Sequence, residues 1–198
     1  MRIEYLIPLI GYLLGSIPFG YILVKSTEGR DIRSMGSGNI GATNVFRRSR
    51  FAGVLTFVLD AGKGYLAVAL AAWLGGNPQW QAIAALAAIV GHVFTVWLRF
   101  KGGKGVATGC GAYLSIAPAA VLTTLLFFVL ILILTRYISL SSIGATGLFP
   151  LWAYVYGAPL TVVLWALAGA LLIIVKHRQN IRRLLSGTER KLAPGTRS

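Results

Sequence analysis

Apolar residues run together along this chain rather than alternate. Four runs, at residues 3–24, 51–75, 80–98 and 160–176, approach the roughly 20 apolar residues that a helix needs to cross hydrocarbon. The first is longer than a signal-peptide core and leads into no small-residue cleavage site, so it reads as a retained span. Two further runs are less regular. Residues 106–135 run for 30 positions, too many for an ordinary crossing, with Pro118 in the interior, where a proline breaks or bends a helix. Residues 142–156 run for 15, about 22 Å of helix, which is short for a bilayer unless it is thinned or the helix starts in a protein-lined cavity.

The polar punctuation between these runs is one-sided in charge. The chain has 19 Lys and Arg against 5 Asp and Glu, a formal charge of +14. The positive-inside bias puts residues 25–50, the stretch "RFKGGKGVATG" at 99–109 and the tail beginning "KHRQNIRR" at 176 on the cytoplasmic side. Staying on that side at Arg136 as well takes an even number of crossings in each leg between these cations. The leg after Arg136 has two, divided by "GAP" at 157–159. The leg before it must be split at Pro118, into helices 106–117 and 119–135. The expected fold is therefore all-α, a single polytopic membrane domain over residues 1–198. Its seven transmembrane helices are 3–24, 51–75, 80–98, 106–117, 119–135, 142–156 and 160–176, with the N-terminus outside and the C-terminus in the cytoplasm.

Composition sharpens this picture and removes function classes. Apolar residues make up 56% of the chain and charged residues 12%, and the mean hydropathy of +0.73 lies outside the range of soluble domains. The cations therefore face anionic headgroups or an anionic substrate, and not nucleic acid. Cys110 is the only cysteine, which leaves no disulfide framework and no thiolate metal cluster, and it reads as a small helix-packing residue. The acidic residues, Glu4, Glu28, Asp31, Asp60 and Glu189, are too scattered to build a metal site, so neither a metal nor another cofactor is expected.

Four cytoplasmic segments, 33–47, 99–109, 135–142 and 176–189, are candidates for one site. In "RSMGSGNIGATNVFR", Gly36, Gly38 and Gly41 permit a concavity of main-chain N–H groups. Ser37, Asn39, Thr43 and Asn44 add neutral hydrogen bonds, and Arg47 adds a planar anion fork. A flexible loop touching headgroups is the plainer alternative, but it needs no such density of glycine, serine and asparagine. In "RFKGGKGVATG", Lys104 is followed by Gly105 where a nucleotide P-loop needs Ser or Thr, and no strand precedes it. What remains is an anion nest: Gly102, Gly103 and Gly105 bring amides close, Lys104 neutralises, and the helix starting near Val106 offers its positive dipole end.

"TRYISLSS" places Ser141 and Ser142 at the expected N-cap of the next helix, and capping alone is reason enough for them. In "KHRQNIRRLLSGTE", His177 and Asn180 share a helical face with Arg178, Arg182 and Arg183 close by. A histidine there is as readily interfacial as catalytic. Within the membrane, Asp60 and Lys63 at i and i+3 read as an internal neutralising pair, and His92 as a helix–helix hydrogen bond. Neither histidine has an aspartate five positions on, since Trp97 and Arg182 stand there, and there is no G-x-S-x-G elbow. The inventory is rich in positive charge and poor in bases. It fits transfer from an already activated donor, or a transporter that binds an organic phosphate without reacting.

Four stretches, "GSIPFG" at 15–20, "GSGNIGATNVFR" at 36–47, "FKGGKGVAT" at 100–108 and "HRQNIRRLLSGTE" at 177–189, together resemble the PlsY family of bacterial acyl-phosphate:glycerol-3-phosphate acyltransferases, from the first span to the tail. One departure is Thr95, where the family commonly has proline, and a change in helix kink is the expected consequence. The resemblance implies transfer of a fatty acyl group from acyl phosphate to the 1-hydroxyl of glycerol 3-phosphate, at the cytoplasmic face of the bacterial inner membrane. It implies catalytic roles for Ser37, Arg47, Lys104, His177 and Asn180. Substrate binding is implied for Gly36, Gly38, Asn39, Thr43, Asn44, Gly102, Gly103, Gly105 and Ser142. Partners would be the two substrates and membrane lipids, with an acyl-phosphate-producing enzyme as a candidate for transient docking.

Overall fold

The computed structural model of the chain describes residues 3–192. Among these are ten α-helices, three short 3₁₀ helices and no strand. They fall into two compact units, Met1–Pro118 and Ala119–Ser198.

In the first unit the opening apolar run is broken. α1 (Ile7–Ser16) stops and α2 (Phe19–Glu28) starts on either side of Ile17 and Pro18, because Pro18 has no N–H to continue the ladder. The Ile17 amide closes back on Leu14 O at 3.2 Å, and the Ile22 amide bonds Pro18 O at 3.0 Å. The next carbonyls along are met by other helices: Thr95 Oγ1 donates to Ser16 O at 2.5 Å and Lys63 Nζ to Ile17 O at 2.7 Å.

A five-residue helix, α3 (Ala42–Phe46), then precedes the long α4 (Arg50–Trp73), whose first turn is capped by Ser49. α5 (Pro78–Val93) is capped by Asn77 and followed by α6 (Val106–Leu114). Small residues set the crossings. A Cβ on Gly15 would meet the Ala88 main chain, and one on Gly91 the Tyr12 carbonyl, so α1 and α5 touch backbone to backbone. Gly64 lies against Thr108 O and Gly111 against Ala61 O, which does the same for α4 and α6.

The second unit holds α7 (Pro118–Thr135) but for its first residue, then α8 (Ile138–Val155), α9 (Leu160–Lys176) and α10 (Arg178–Leu185). α7 leaves most of its apolar surface uncovered by protein, as a lipid-facing helix does. Arg136, at φ 62°, makes the turn into α8.

The run from 106 to 135 is divided, with α6 ending at Leu114 and α7 starting at Pro118, and α9 keeps its expected bounds. α8 starts earlier than expected, at Ile138, and so reaches 18 residues instead of 15. Ser141 and Ser142 are therefore inside its first turns and not at its N-cap. Their hydroxyls donate to Tyr137 O and Ile138 O, both at 2.9 Å, an i−4 arrangement that lets serine enter a helix. Among the described residues five helices are long and apolar enough to cross a membrane, or six if α9 and α10, bent by 56°, count as one span. α6, with nine residues, is about 14 Å long and does not reach across by itself.

Two glycines on α4 separate packing from propensity. Gly62→Ala meets nothing within 4 Å, whereas the Cβ of Gly64→Ala lands on the Thr108 carbonyl. In detergent melts, Gly62→Ala is expected to hold or raise the midpoint, by up to about 1 kcal/mol. Gly64→Ala is expected to lose about 1–3 kcal/mol.

Candidate active site

The segment expected to form the first half of the site folds around an asparagine. Asn44, buried at the start of α3, accepts the Ser37 amide on Oδ1 at 3.0 Å. Its Nδ2 lies 2.9 Å from Asn39 O, 3.0 Å from Met35 O and 3.4 Å from Ile32 O. Those bonds use both Nδ2 hydrogens, so Asn44 shapes the loop from within. Asn39 Oδ1 takes the Gly41 amide at 2.8 Å, and Gly36 and Gly38 turn the chain at φ 58° and 69°. A Cβ on Gly36 would overlap Asn44 Oδ1. The arrangement leaves Gly36, Ser37, Gly38, Thr43 and Arg47 exposed above a small apolar core of Val24, Ile32, Ile40, Val45 and Leu98. Leu98 belongs to the turn that leads into "KGGKG", so the first two motifs share this core. Beside them Asp31 chelates Arg33 at 2.7 Å, and that hydrogen-bonded guanidinium holds the Asp31 carboxyl below its ordinary range.

The second motif corrects the sequence expectation. The amides of Gly102 and Gly103 do not form part of an anion nest: they donate to Val93 O at 3.1 Å and His92 O at 3.0 Å. These glycines allow contact instead. A Cβ at Gly102 would fall on the His92 carbonyl, and one at Gly103 on the His92 ring at Nε2. The loop is thereby laid on the end of α5, after two consecutive non-glycine residues at positive φ, Arg99 at 54° and Phe100 at 61°. Gly105, at φ 91°, turns the chain into α6 immediately after half-buried Lys104. Lys104 thus precedes a helix N-terminus, where the dipole favours an anion. Thr95 lies just past the end of α5. Its φ of −63° is one that proline would also adopt, and its hydroxyl supplies the bond to Ser16 O.

In the second unit His177 sits at the bend between α9 and α10 and is buried. A carbonyl can only accept, so the 2.8 Å contact with Ile173 O places a ring hydrogen on Nδ1; Nε2 is then an acceptor in the neutral ring and a donor in the imidazolium. Buried Asn180 donates to Glu189 Oε1 at 2.7 Å. Ser139 donates to the same oxygen at 2.7 Å, and Arg183 Nε holds Oε2 at 2.6 Å. Burial opposes the charge of Glu189, but these three donors outweigh it and keep the carboxyl below the usual glutamate range. Sequence reasoning did not single Glu189 out as a site residue. The available signal was an acid in a basic tail, in a chain with only five.

Asp60, Lys63 and His92 also come together. Lys63 Nζ is 2.6 Å from Asp60 Oδ1 and 3.0 Å from His92 Nδ1, so the expected pair and the expected helix–helix bond are one cluster. Among the described residues no three His, Cys, Asp or Glu side chains group as a metal ion would require. The first unit therefore offers cations and hydroxyls on glycine-shaped loops, and the second a buried imidazole at a helix bend.

Comparison with known proteins agrees with this inventory. The family model described as glycerol-3-phosphate acyltransferase matches residues 5–187. Glycerol-3-phosphate acyltransferases from Geobacter sulfurreducens and Endomicrobium trichonymphae are similar. The first is 48% identical over 190 residues, covering 95% of this chain and 97% of the relative, and the second 46% over 193, covering 97% of each. The crystal structure of PlsY (YgiH), an integral membrane glycerol 3-phosphate acyltransferase, in its glycerol 3-phosphate form matches with a TM-score of 0.91 at 40% identity over 96% of each chain. Its lysophosphatidic acid form gives 0.88 at 38%, over 96% of this chain and 95% of that one. On all three comparisons the chain belongs to the PlsY family of integral membrane glycerol-3-phosphate acyltransferases.

Proposed function

We propose that this protein transfers a fatty acyl group from acyl phosphate to the 1-hydroxyl of glycerol 3-phosphate, giving 1-acyl-glycerol 3-phosphate and inorganic phosphate. The hydroxyl oxygen attacks the acyl carbonyl, the carbon–oxygen bond to phosphate breaks, and the hydroxyl proton passes to a phosphate oxygen. The observation that carries this reading is what the cations face: Lys104 stands before a helix N-terminus, while the acids Asp31, Asp60 and Glu189 are each held by a cation. No carboxylate is placed on His177 Nδ1, which bonds a main-chain carbonyl. The dianionic phosphate of glycerol 3-phosphate, with a second pKa near about 6, can itself accept the proton.

On this reading Arg47, Lys104 and His177 bind the two phosphates. Ser37, Thr43 and the main chain at Gly36 and Gly38 stabilise the oxyanion that develops at the carbonyl. Asn39 and Asn44 maintain the loop, Gly102 and Gly103 give it close seating, and Ser142 adds a substrate contact. Seven crossings, with the N-terminus outside and the motifs on the cytoplasmic face of the bacterial inner membrane, follow the charge pattern. An acyl-phosphate-producing enzyme would then deliver its product to that face.

The test is purified protein in detergent, given acyl phosphate and glycerol 3-phosphate with the lipid product measured. Turnover is expected, and organic-phosphate flux in proteoliposomes without turnover would overturn the reading. Lys104→Ala is expected to raise KM for glycerol 3-phosphate at least ~10-fold, the loss of one charge-assisted contact. His177→Ala is expected to lower kcat by about 10²-fold.

Glu189 sets a pH limit. Its carboxyl is depressed in the folded state, so its contribution is present above the ordinary glutamate pKa and disappears as pH falls through the lowered value. Wild-type protein should keep its midpoint down to about pH 4 and lose it below. Glu189→Gln should start lower at neutral pH and lack that acid limb, measured by melts across pH.

A further inference from the structure

Asp60, Lys63 and His92 take no part in the chemistry proposed above, yet ionisable side chains only 2–4% exposed are costly to keep inside membrane helices. Apolar residues pack two helices at least as well as a buried ion cluster does, so what this cluster touches matters. Lys63, on α4, has three N–H bonds to give and three neighbours: Ile17 O at 2.7 Å, Asp60 Oδ1 at 2.6 Å and His92 Nδ1 at 3.0 Å. An ammonium can only donate, so Nδ1 accepts and the ring hydrogen of His92 lies on Nε2. That Nε2 edge is the surface against which Gly103 rests, close enough that no Cβ fits between them. The His92 carbonyl meanwhile takes the Gly103 amide at 3.0 Å. The residue next in sequence is Lys104.

We propose that Asp60, Lys63 and His92 are positioning residues for the glycerol 3-phosphate loop. Lys63, balanced by Asp60 and braced on the Ile17 carbonyl, fixes the His92 ring. The ring and the His92 carbonyl together seat Gly103, and so fix where the chain presents Lys104. A tether of this kind acts on the orientation of a bound phosphate more than on the chemical step. The inference rests on the acyl transfer proposed above.

Kinetics of purified variants test it. Lys63→Met should raise KM for glycerol 3-phosphate about tenfold while KM for acyl phosphate stays within about twofold. Because Lys63→Met alone strands the Asp60 charge, the deciding variant is Asp60→Asn/Lys63→Met, which removes both charges. It should melt within a few degrees of wild type and still show the raised KM. A stable double variant with wild-type KM would overturn the proposal. The His92 contact has its own check, since Gly103→Ala should cost at least ~5-fold less in a His92→Ser background than in wild type. Equal cost in both backgrounds would refute it. Wild-type protein assayed in parallel separates the two ideas: absence of transfer there rejects the proposed reaction alone. Titration of glycerol 3-phosphate into each variant then reads the loop directly, with weakened binding expected and wild-type affinity overturning the inference.

Discussion

Within hydrocarbon a main-chain carbonyl that loses its helical partner has no water to turn to, and the break at Ile17–Pro18 creates that problem near the start of the chain. The first unit is organised around its solution. α5 contributes Thr95, just past its end, to the Ser16 carbonyl, and α4 contributes Lys63 to Ile17. Each choice has consequences. A lysine inside the membrane needs a counter-charge, which Asp60 supplies from the same helix face. Its third donor direction then falls on His92, at the end of α5 where the glycine loop begins. The glycines of α1, α4, α5 and α6 bring these helices close enough for such short bonds to form.

Scarcity of acid shapes the rest. Glu28, Asp31, Asp60 and Glu189 each lie 2.6–2.8 Å from a cation, which uses four of the five carboxylates in the sequence. These pairs are structural: they hold a loop, a helix crossing or a tail. Exposed pairs such as Arg48 with Glu28 add little stability. Glu189 is different in kind, because one carboxylate receives donors from α8 and α10 and so ties the tail segment at 177–189 to α8.

Much of this was legible before any coordinates. The apolar runs give the helices, and Pro118 marks a division in the long run, where α7 starts after α6 has ended at Leu114. The density of glycine and cation at 36–47 and 99–109 marks two loops that share one apolar core. Sequence reasoning went astray where one residue type serves two ends. Glycine beside lysine suggests amides offered to a phosphate, but it equally permits close packing, and at Gly102 and Gly103 the second use prevails. Asn44, expected as a substrate ligand, also organises the loop through its own side-chain amide. Ser141 and Ser142 resembled caps, but a two-residue connection, Arg136 and Tyr137, starts the helix earlier.

By itself, then, the sequence determined that the chain lives in a membrane, where its helices run and which loops carry cationic chemistry. These are local properties, set by hydrophobic length, proline and the sign of charge. Only the tertiary structure decided which donor meets which acceptor. Thr95 and Ser16 are 79 residues apart, Lys63 and Ile17 are 46 apart, and Asn180 and Glu189 are joined across a helix end. Such pairings have no periodic signature in the chain, because they depend on where folded backbones leave a carbonyl or an amide without a helical partner.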